Sequence, residues 1–162
     1  MFSAFKPVVY VQISPERLSL KNLKTGQTLA EVPELALSAP PRRRVLAVGS
    51  EARAAAASAS AEVVNPFAHP RSMVSDFTVA ELLLQHQLRR VLVPSLLTVA
   101  PCVIVHPRGS PAGGFTQVER RAFREMARGA GASEVFVWTG RPLTDEEARS
   151  RRPPEAGGGE WE

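Results

Sequence analysis

The sequence feature that most constrains the fold is an apolar run at Thr98–His106, set between two segments with helical periodicity. A continuous apolar, β-branched run of this length is typical of a strand that is buried on both faces of a sheet. The segment before it, from Asp76 to about Val93, repeats apolar residues with a 3.6-residue period, and the segment from Thr116 to about Gly129 does the same. This order of elements predicts a buried strand enclosed by two helices.

A second strand, Glu134–Trp138, follows the second helix after a glycine-containing stop at Gly129–Gly131. The strand–helix–strand order predicts that Thr98–His106 and Glu134–Trp138 are parallel neighbours in one sheet. The second helix is expected to bury one apolar stripe against that sheet. The residues of this stripe are Val118, Ala122, Phe123, Met126 and Ala127.

The first half of the chain has the turn signals of antiparallel strands. Residues 8–13 and 17–23 predict two strands, and a turn at Lys24–Gln27 leads to a third at Thr28–Leu29. Further predicted elements are a strand broken by a loop at 33–44, a short strand at Val45–Gly49 and a helix at Glu51–Ala61. We therefore predict an α/β fold whose mixed sheet joins an antiparallel meander to parallel strands, with helices packed on it.

The cysteine count and the hydropathy exclude several classes of protein. Cys102 is the only cysteine, which excludes an internal disulfide framework and a multi-cysteine zinc site. No apolar run reaches the ~18 residues of a membrane-spanning helix. Met1–Lys6 lacks the pattern of a signal peptide. We therefore expect a cytoplasmic protein.

The net charge is +4, and most of the 20 basic residues are arginines. The arginines cluster at 42–44, 89–90, 120–128 and 151–152. Phe123 is the only aromatic residue within these clusters, and it belongs to the apolar stripe of its helix, so the clusters lack the series of interleaved aromatic residues that base stacking on nucleic acid would require. A nucleic-acid partner is therefore not expected.

The segment from Thr116 to Phe136 closely resembles part of the MreB family, bacterial actin-like proteins that determine rod shape. The residues that carry the resemblance are Thr116–Ala122 (TQVERRA), Arg124–Glu125, Gly129–Ala132 and Glu134–Phe136. Further matches are Met73–Phe77 with Glu81 and Leu84–His86, Val45–Ala52, and the hairpin at 18–29. The resemblance covers most of residues 8–138.

This resemblance implies the first half of an actin-like, ribonuclease H-like fold. Residues 1–31 and 64–142 would form subdomain IA, and residues 32–63 a shortened insert that corresponds to subdomain IB. Residues 143–162 are expected to be a disordered tail, because the segment is rich in proline and glycine, with a short helix at Thr144–Ala148 as the alternative at its beginning. The family's second domain has no counterpart in the sequence, so we expect a truncated member.

In the family, the first β-hairpin holds the metal and the phosphates of ATP through an Asp-apolar-Gly-Thr/Ser pattern. Here Gln12 stands at the aspartate position, Ser14 at the glycine and Pro15 at the threonine or serine. Gln12 is neutral, Ser14 adds a Cβ where the phosphates would approach, and Pro15 has no N–H. We therefore expect a degenerate hairpin, neither ATP nor magnesium as a cofactor, and no enzymatic activity.

Glu119 corresponds to the family glutamate that positions the hydrolytic water, so the resemblance implies it as the candidate catalytic residue. The alternative is a capping box, in which Thr116 begins the helix and Glu119 bonds back to its N–H. We favour the capping box, because general-base catalysis requires a positioned substrate. The loop that precedes this helix is also longer than in the family, owing to Ser110–Gly114.

Five other residues have a structural explanation that we favour over a functional one. His106 lies at the end of an apolar strand, where α/β proteins bind ligands, but it lacks the convergent partners of a catalytic or metal site. His69 and His86 have no ligand spacing. Cys102 falls inside the buried strand, and Asp76 is explained as the N-cap of the helix that follows it.

Two further segments each have a functional interpretation and a structural one. Phe2 and Phe5 beside Lys6 could insert into a membrane surface, as the N-terminal segments of some family members do, whereas the favoured alternative is a frayed terminus. Gly157–Gly159 superficially resembles a phosphate loop. No strand or helix is predicted after it, so we expect a flexible tail.

Three functions are compatible with these observations. The first is contact of a nucleotide-incompetent MreB-like protein with a full-length MreB-like filament or with cell-wall morphogenesis proteins. Its location would be the cytoplasm, including the inner face of the cytoplasmic membrane. A peripheral contact with that membrane is a further expectation. The second is ATP binding, as an actin-like ATPase half that another polypeptide completes. The third is a decayed fragment without a role, which would expose apolar surface to water.

Overall fold

The computed structural model describes residues 6–93, 99–109 and 111–162. The expectations for Phe2, Phe5, Thr98 and Ser110 fall outside these residues. In the described ranges the strands are β1 (Val8–Ile13), β2 (Leu18–Asn22), β3 (Thr28–Glu31), β4 (Leu35–Leu37), β5 (Val45–Val48), β6 (Glu62–Val64), β7 (Cys102–Pro107) and β8 (Glu134–Val137). The helices are α1 (Ala52–Ala59), α2 (Phe77–Val91), α3 (Gln117–Gly129) and α4 (Asp145–Ser150).

Five strands form a mixed sheet in the order β3-β2-β1-β7-β8. The strands β1, β2 and β3 are successive antiparallel neighbours, while β7 is parallel to both β1 and β8. The predicted α/β class, the meander and the parallel pairing are therefore confirmed. A smaller antiparallel sheet has the order β5-β4-β6, and its strand β6 was missing from the sequence-based prediction.

Side chains alternate along the central strands, so that the five-stranded sheet buries apolar residues on both faces. The first face carries Val9 and Val11 of β1, which share a core with Leu83 of α2 and Phe123 of α3. The helices α2 and α3 also pack closely on each other. A Cβ at Gly129 would lie 2.1 Å from a carboxylate oxygen of Glu81, so a larger residue at this position would have to displace the end of the Glu81 side chain.

The second face of the sheet is covered by residues that follow β8. Tyr10 of β1 and Ile104 of β7 belong to a separate buried cluster that includes Leu143, and Trp161 packs against it. These contacts come from residues 139–162, which include α4 and which we call the C-terminal layer. The sheet is thus enclosed between two helices on one face and the C-terminal layer on the other.

The structure differs here from the expected disorder of residues 143–162. Thr144 caps α4 through a capping box, and the last residues pair with the outer edge of β8. A Cβ at Gly159 would lie 2.4 Å from the Cα of Gly140, so the two backbones touch. Composition suggested flexibility at Gly157–Gly159, whereas at Gly159 the missing side chain permits a close backbone approach.

The buried stripe of α3 is confirmed except at one position. Phe123, Met126 and Ala127 are buried and Ala122 is half-buried. The prediction for Val118 is wrong, because its side chain is 79% exposed. At about 100° per residue, Val118 points roughly 130° away from the centre of the buried stripe, so its side chain faces solvent.

The smaller sheet is held against both the main core and α1. Leu35 of β4 belongs to the main core, while Ala36 packs under the alanine-rich α1. Its strands span residues 35–64, and the division of the chain into subdomains IA and IB stays a prediction. Among the described residues, no helix combines the length and the apolar character that crossing a membrane requires.

Candidate functional site

The β1–β2 hairpin, where the resemblance places the phosphates of ATP, is closed by its own hydrogen bonds. The Ser14 N–H donates to the Arg17 carbonyl at 2.9 Å, and the Arg17 N–H donates to Ser14 Oγ at 3.0 Å. Pro15 has no N–H to offer, and its carbonyl accepts a bond from the Asn65 side chain at 2.8 Å. The N–H groups of Ser14 and Arg17 are thus consumed inside the turn.

Gln12 lies on β1, opposite Ser19 of β2 and His106 of β7 in the strand register. In the described part of the chain, no three His, Cys, Asp or Glu side chains lie close enough together to hold a metal ion. At the strand position of the hairpin the side chain is the amide of Gln12 and not a carboxylate, and the turn uses two of its N–H groups in its own hydrogen bonds.

Glu119 forms the capping box at the start of α3. Its carboxylate accepts the Thr116 N–H at 2.8 Å, and the Glu119 N–H donates to Thr116 Oγ1 at 3.2 Å. Two N–H groups at the beginning of the helix are satisfied in this way. The geometry therefore gives Glu119 a structural role in this chain.

His106 lies at the carboxyl end of β7, between the sheet and the C-terminal layer, and is 1% exposed. Its Nδ1 lies 2.6 Å from the Tyr10 hydroxyl, and its Nε2 lies 2.8 Å from the Gly140 carbonyl oxygen. The Tyr10 hydroxyl also accepts the Leu143 N–H at 3.1 Å. These bonds connect β1, β7 and the C-terminal layer.

The hydrogen-bond partners fix the tautomer of His106. The Gly140 carbonyl can only accept, so Nε2 carries the proton and Nδ1 accepts the bond that Tyr10 donates. A second proton on the ring would leave two donors facing each other at Tyr10, unless its hydroxyl turned away. Burial, which is the main cause, lowers the pKa of His106 from 6.5 to about 4. His106 is therefore neutral near pH 7 and holds two layers of the fold together.

The remaining candidates also have structural explanations. Burial, with a smaller contribution from Glu134, raises the pKa of Cys102 to about 12, so its thiol stays protonated. Asp76 accepts the Val79 N–H at 3.1 Å and caps α2, as predicted. His69 is exposed and accepts an N–H from the backbone two residues further on.

The carboxyl ends of β7 and β8, where parallel sheets commonly bind ligands, border two shallow clefts of about 380 Å³ and 350 Å³. Gly109, Thr139 and Gly158 line both clefts. Gly158 belongs to the C-terminal layer, so part of this crevice is walled by the chain's own glycine segment.

The sequence-based interpretation missed the residues that attach the C-terminal layer. Trp161 stacks on Phe136 with ring centroids 5.1 Å apart, and Glu162 pairs with Arg120 and Arg124 of α3. The available signal was a tryptophan flanked by two acidic residues, in a chain whose third arginine cluster lies on one helix. That pattern is short, and the surrounding glycines and prolines hid it.

Comparison with known proteins places the described fold among bacterial actin-like proteins. A family model described as MreB/Mbl protein matches residues 24–142. Cell shape-determining protein MreB from Escherichia coli (strain K12) is 46% identical over 65 residues, which are 40% of this chain and 18% of that protein. Its counterpart from Haemophilus influenzae is 36% identical over 95 residues, which are 59% of this chain and 26% of that protein. The chain thus spans a small part of the length of these relatives.

Two crystal structures of MreB5 of Spiroplasma citri, one bound to ADP and one to AMPPNP, each match with a TM-score of 0.62. They are 18% and 19% identical to this chain in sequence, and the matches cover 82% of it. The matched parts are 37% and 38% of the solved chains. At this identity the likeness confirms a partial actin-like fold.

Proposed function

The chain belongs to the MreB/Mbl family, and from this premise we propose that it acts by contact with an actin-like filament or with the cell-wall morphogenesis machinery. The nucleotide hairpin takes no part in the proposed function. The proposed location is the cytoplasm, including the inner face of the cytoplasmic membrane.

The observation that carries this proposal is the closed turn at Ser14–Arg17. A filament protein that works by contact needs its surface but does not need a phosphate cradle. The N–H groups of Ser14 and Arg17 form hydrogen bonds within the turn, and Pro15 has no N–H. Retention of the family fold together with this turn supports a binding role.

The covered second face of the sheet supports a maintained protein over a decayed fragment. A fragment cut from a longer fold would leave apolar sheet surface in water. In this chain Tyr10 and Ile104 are at most 5% exposed, because the C-terminal layer packs over them. The second face of the sheet is therefore covered by residues of the same chain.

The contact surface that we propose is the exposed face of α3, defined by Val118, Arg121 and Glu125. All three side chains are exposed, and Val118 is the most exposed of the large apolar residues in the described part of the chain. An apolar side chain in water adds binding energy when a partner covers it. The face also lies in the segment with the strongest family resemblance.

Co-sedimentation with a full-length MreB filament tests the proposal. We expect the wild-type chain to pellet with the filament, and Val118→Glu to weaken this association by about tenfold or more, because a charge would be buried in the contact. Val32→Glu is the matched control, since Val32 is 40% exposed outside the proposed surface. Both variants should keep the thermal melt of the wild type.

No association of the wild-type chain at any salt concentration would contradict the proposed function. Equal loss of association in both variants would contradict the choice of surface only.

Titration calorimetry with Mg-ATP separates this proposal from an ATPase half that a second polypeptide completes. We expect no binding heat, either for the chain alone or in the presence of a full-length relative, because the turn bonds the N–H groups of Ser14 and Arg17 within itself and Pro15 has no N–H to offer to phosphates. Saturable heat in either titration would favour the ATPase half instead.

A further inference from the structure

The outer edge of β8 is occupied by residues 160–162 of the same chain. The Val137 N–H donates to the Glu162 carbonyl at 2.9 Å, and the Glu162 N–H donates to the Val137 carbonyl at 3.0 Å. The Thr139 N–H donates to the Glu160 carbonyl at 3.1 Å. This is an antiparallel pairing, and it adds a short strand to the edge of the sheet.

The side chains of this added strand alternate between two kinds of surface. Trp161 points to the second face of the sheet, where its ring stacks on Phe136. Glu160 and Glu162 point to α3, where both carboxylates pair with Arg120. Main-chain bonds combined with pockets for alternate side chains are how sheet edges recognise extended peptides.

The cationic side of this edge is built from two partly buried arginines. Arg124 contacts Glu162 at 2.8 Å and Arg120 contacts it at 2.9 Å, with side chains 22% and 15% exposed. Hydrogen bonds from Arg124 and Arg120 lower the pKa of Glu162, so its carboxylate stays charged well below neutral pH. The arginines therefore favour acidic residues on the strand that pairs with β8.

The segment that occupies the edge is held by three main-chain hydrogen bonds, ion pairs and the ring of Trp161, but it buries little apolar surface. Residues 155–160 are exposed, and Trp161 is only half-buried. The carboxylates of its ion pairs, Glu160 and Glu162, are 67% and 44% exposed, so these pairs hold the segment weakly, and segments with few buried apolar contacts open far more readily than the core. The pairing can therefore be exchanged without unfolding the sheet.

We propose that the outer edge of β8, with Arg120, Arg124 and Phe136, is a docking site for an extended segment of a partner protein with the pattern acidic–aromatic–acidic. Residues 160–162 occupy this site in cis and keep it closed until such a segment displaces them. The site lies on a different side of α3 from Val118, and it does not depend on the proposed filament contact.

The test uses a dye-labelled peptide, Gly-Gly-Gly-Glu-Trp-Glu, and full-length chains in fluorescence anisotropy. We expect the Trp161→Ala chain, whose own segment is weakened, to bind the peptide. The wild-type chain should bind it at least about tenfold more weakly, because the tethered segment competes at an effective concentration on the order of millimolar. Raising the salt concentration should weaken the binding, since Arg120 and Arg124 are near the surface.

Two controls decide whether the recognition is specific. A peptide with alanine in place of tryptophan should not bind, and Arg120→Glu with Arg124→Glu, added to the Trp161→Ala chain, should abolish binding of the original peptide. Equal binding of both peptides would overturn the proposal. So would the absence of binding to the Trp161→Ala chain up to about 1 mM, or equal binding to the wild type.

Amide hydrogen exchange provides a second test that retains Trp161. In the full chain with Glu160→Gln and Glu162→Gln, the N–H groups of Val137 and Thr139 should exchange about tenfold faster than in the wild type, because the segment detaches more often. The amides of the β1–β7 pairing should be unchanged, which shows that the sheet is intact. Unchanged exchange at Val137 and Thr139 would overturn the proposal.

Discussion

Replacing Trp138 with alanine is expected to lower the free energy of unfolding by about 3–5 kcal/mol, as for other large buried aromatic residues. Trp138 is 2% exposed, and its indole N–H donates to the Arg141 carbonyl at 2.6 Å. The substitution removes the largest side chain between the sheet and the C-terminal layer and leaves that carbonyl without its partner. Urea unfolding followed by far-ultraviolet circular dichroism measures the loss.

Phe77→Ala is the matched control for this experiment. Phe77 is also aromatic, but it is 40% exposed at the start of α2, so its removal should cost about 1 kcal/mol or less. If both substitutions had the same small effect, the C-terminal layer would not be a structural part of the fold.

Acidification from pH 6.5 to about pH 4 is expected to remove about 3 kcal/mol of stability through His106 alone. The pKa of His106 is lowered from 6.5 to about 4 in the folded chain, mainly by burial and slightly by Arg108. Between these values the unfolded chain binds a proton that the folded chain does not bind, so unfolding becomes more favourable as the pH falls. Each pKa unit corresponds to about 1.4 kcal/mol.

Urea unfolding of wild type and His106→Gln at several pH values between 7.5 and about 4.5 checks this expectation. Glutamine can still donate to the Gly140 carbonyl but does not titrate, so the variant should lose most of the pH dependence in this range. Burial also lowers the pKa of His86, and His86→Gln measures that smaller contribution separately. Glu31, Glu34 and Glu147 have lowered pKa values and act mainly below this range. An unchanged slope in His106→Gln would contradict the expectation.

Much of the fold was predictable because local signals agreed with the final packing. Asp76 and Thr116 are side-chain caps, and both helices begin where these residues predict. The apolar run that ends at His106 became the central parallel strand β7. Val118 was misassigned because it is apolar and lies in an amphipathic helix, although its angular position places it outside the stripe.

The C-terminal layer and the His106 contacts could not be predicted, because they depend on groups that are far apart in sequence. Tyr10 and His106 meet only through strand pairing, and Gly140 reaches His106 from a loop. The close approach of Gly159 to Gly140 has no local signature, since a glycine segment is also typical of disorder. The residue types at the hairpin, in contrast, needed no knowledge of the fold, because Gln12, Ser14 and Pro15 are read directly from the sequence.

The position of the C-terminal layer in the chain has a consequence for synthesis. β1 emerges from the ribosome early, but its parallel neighbour β7 follows only after the whole of the small sheet and α2, and such distant pairings form slowly. The second face of the sheet remains exposed to water even longer, until Leu143 and Trp161 have emerged. A nascent chain with an uncovered apolar face is prone to aggregate, so chaperone supply, more than final stability, should set the yield of folded protein in the cell.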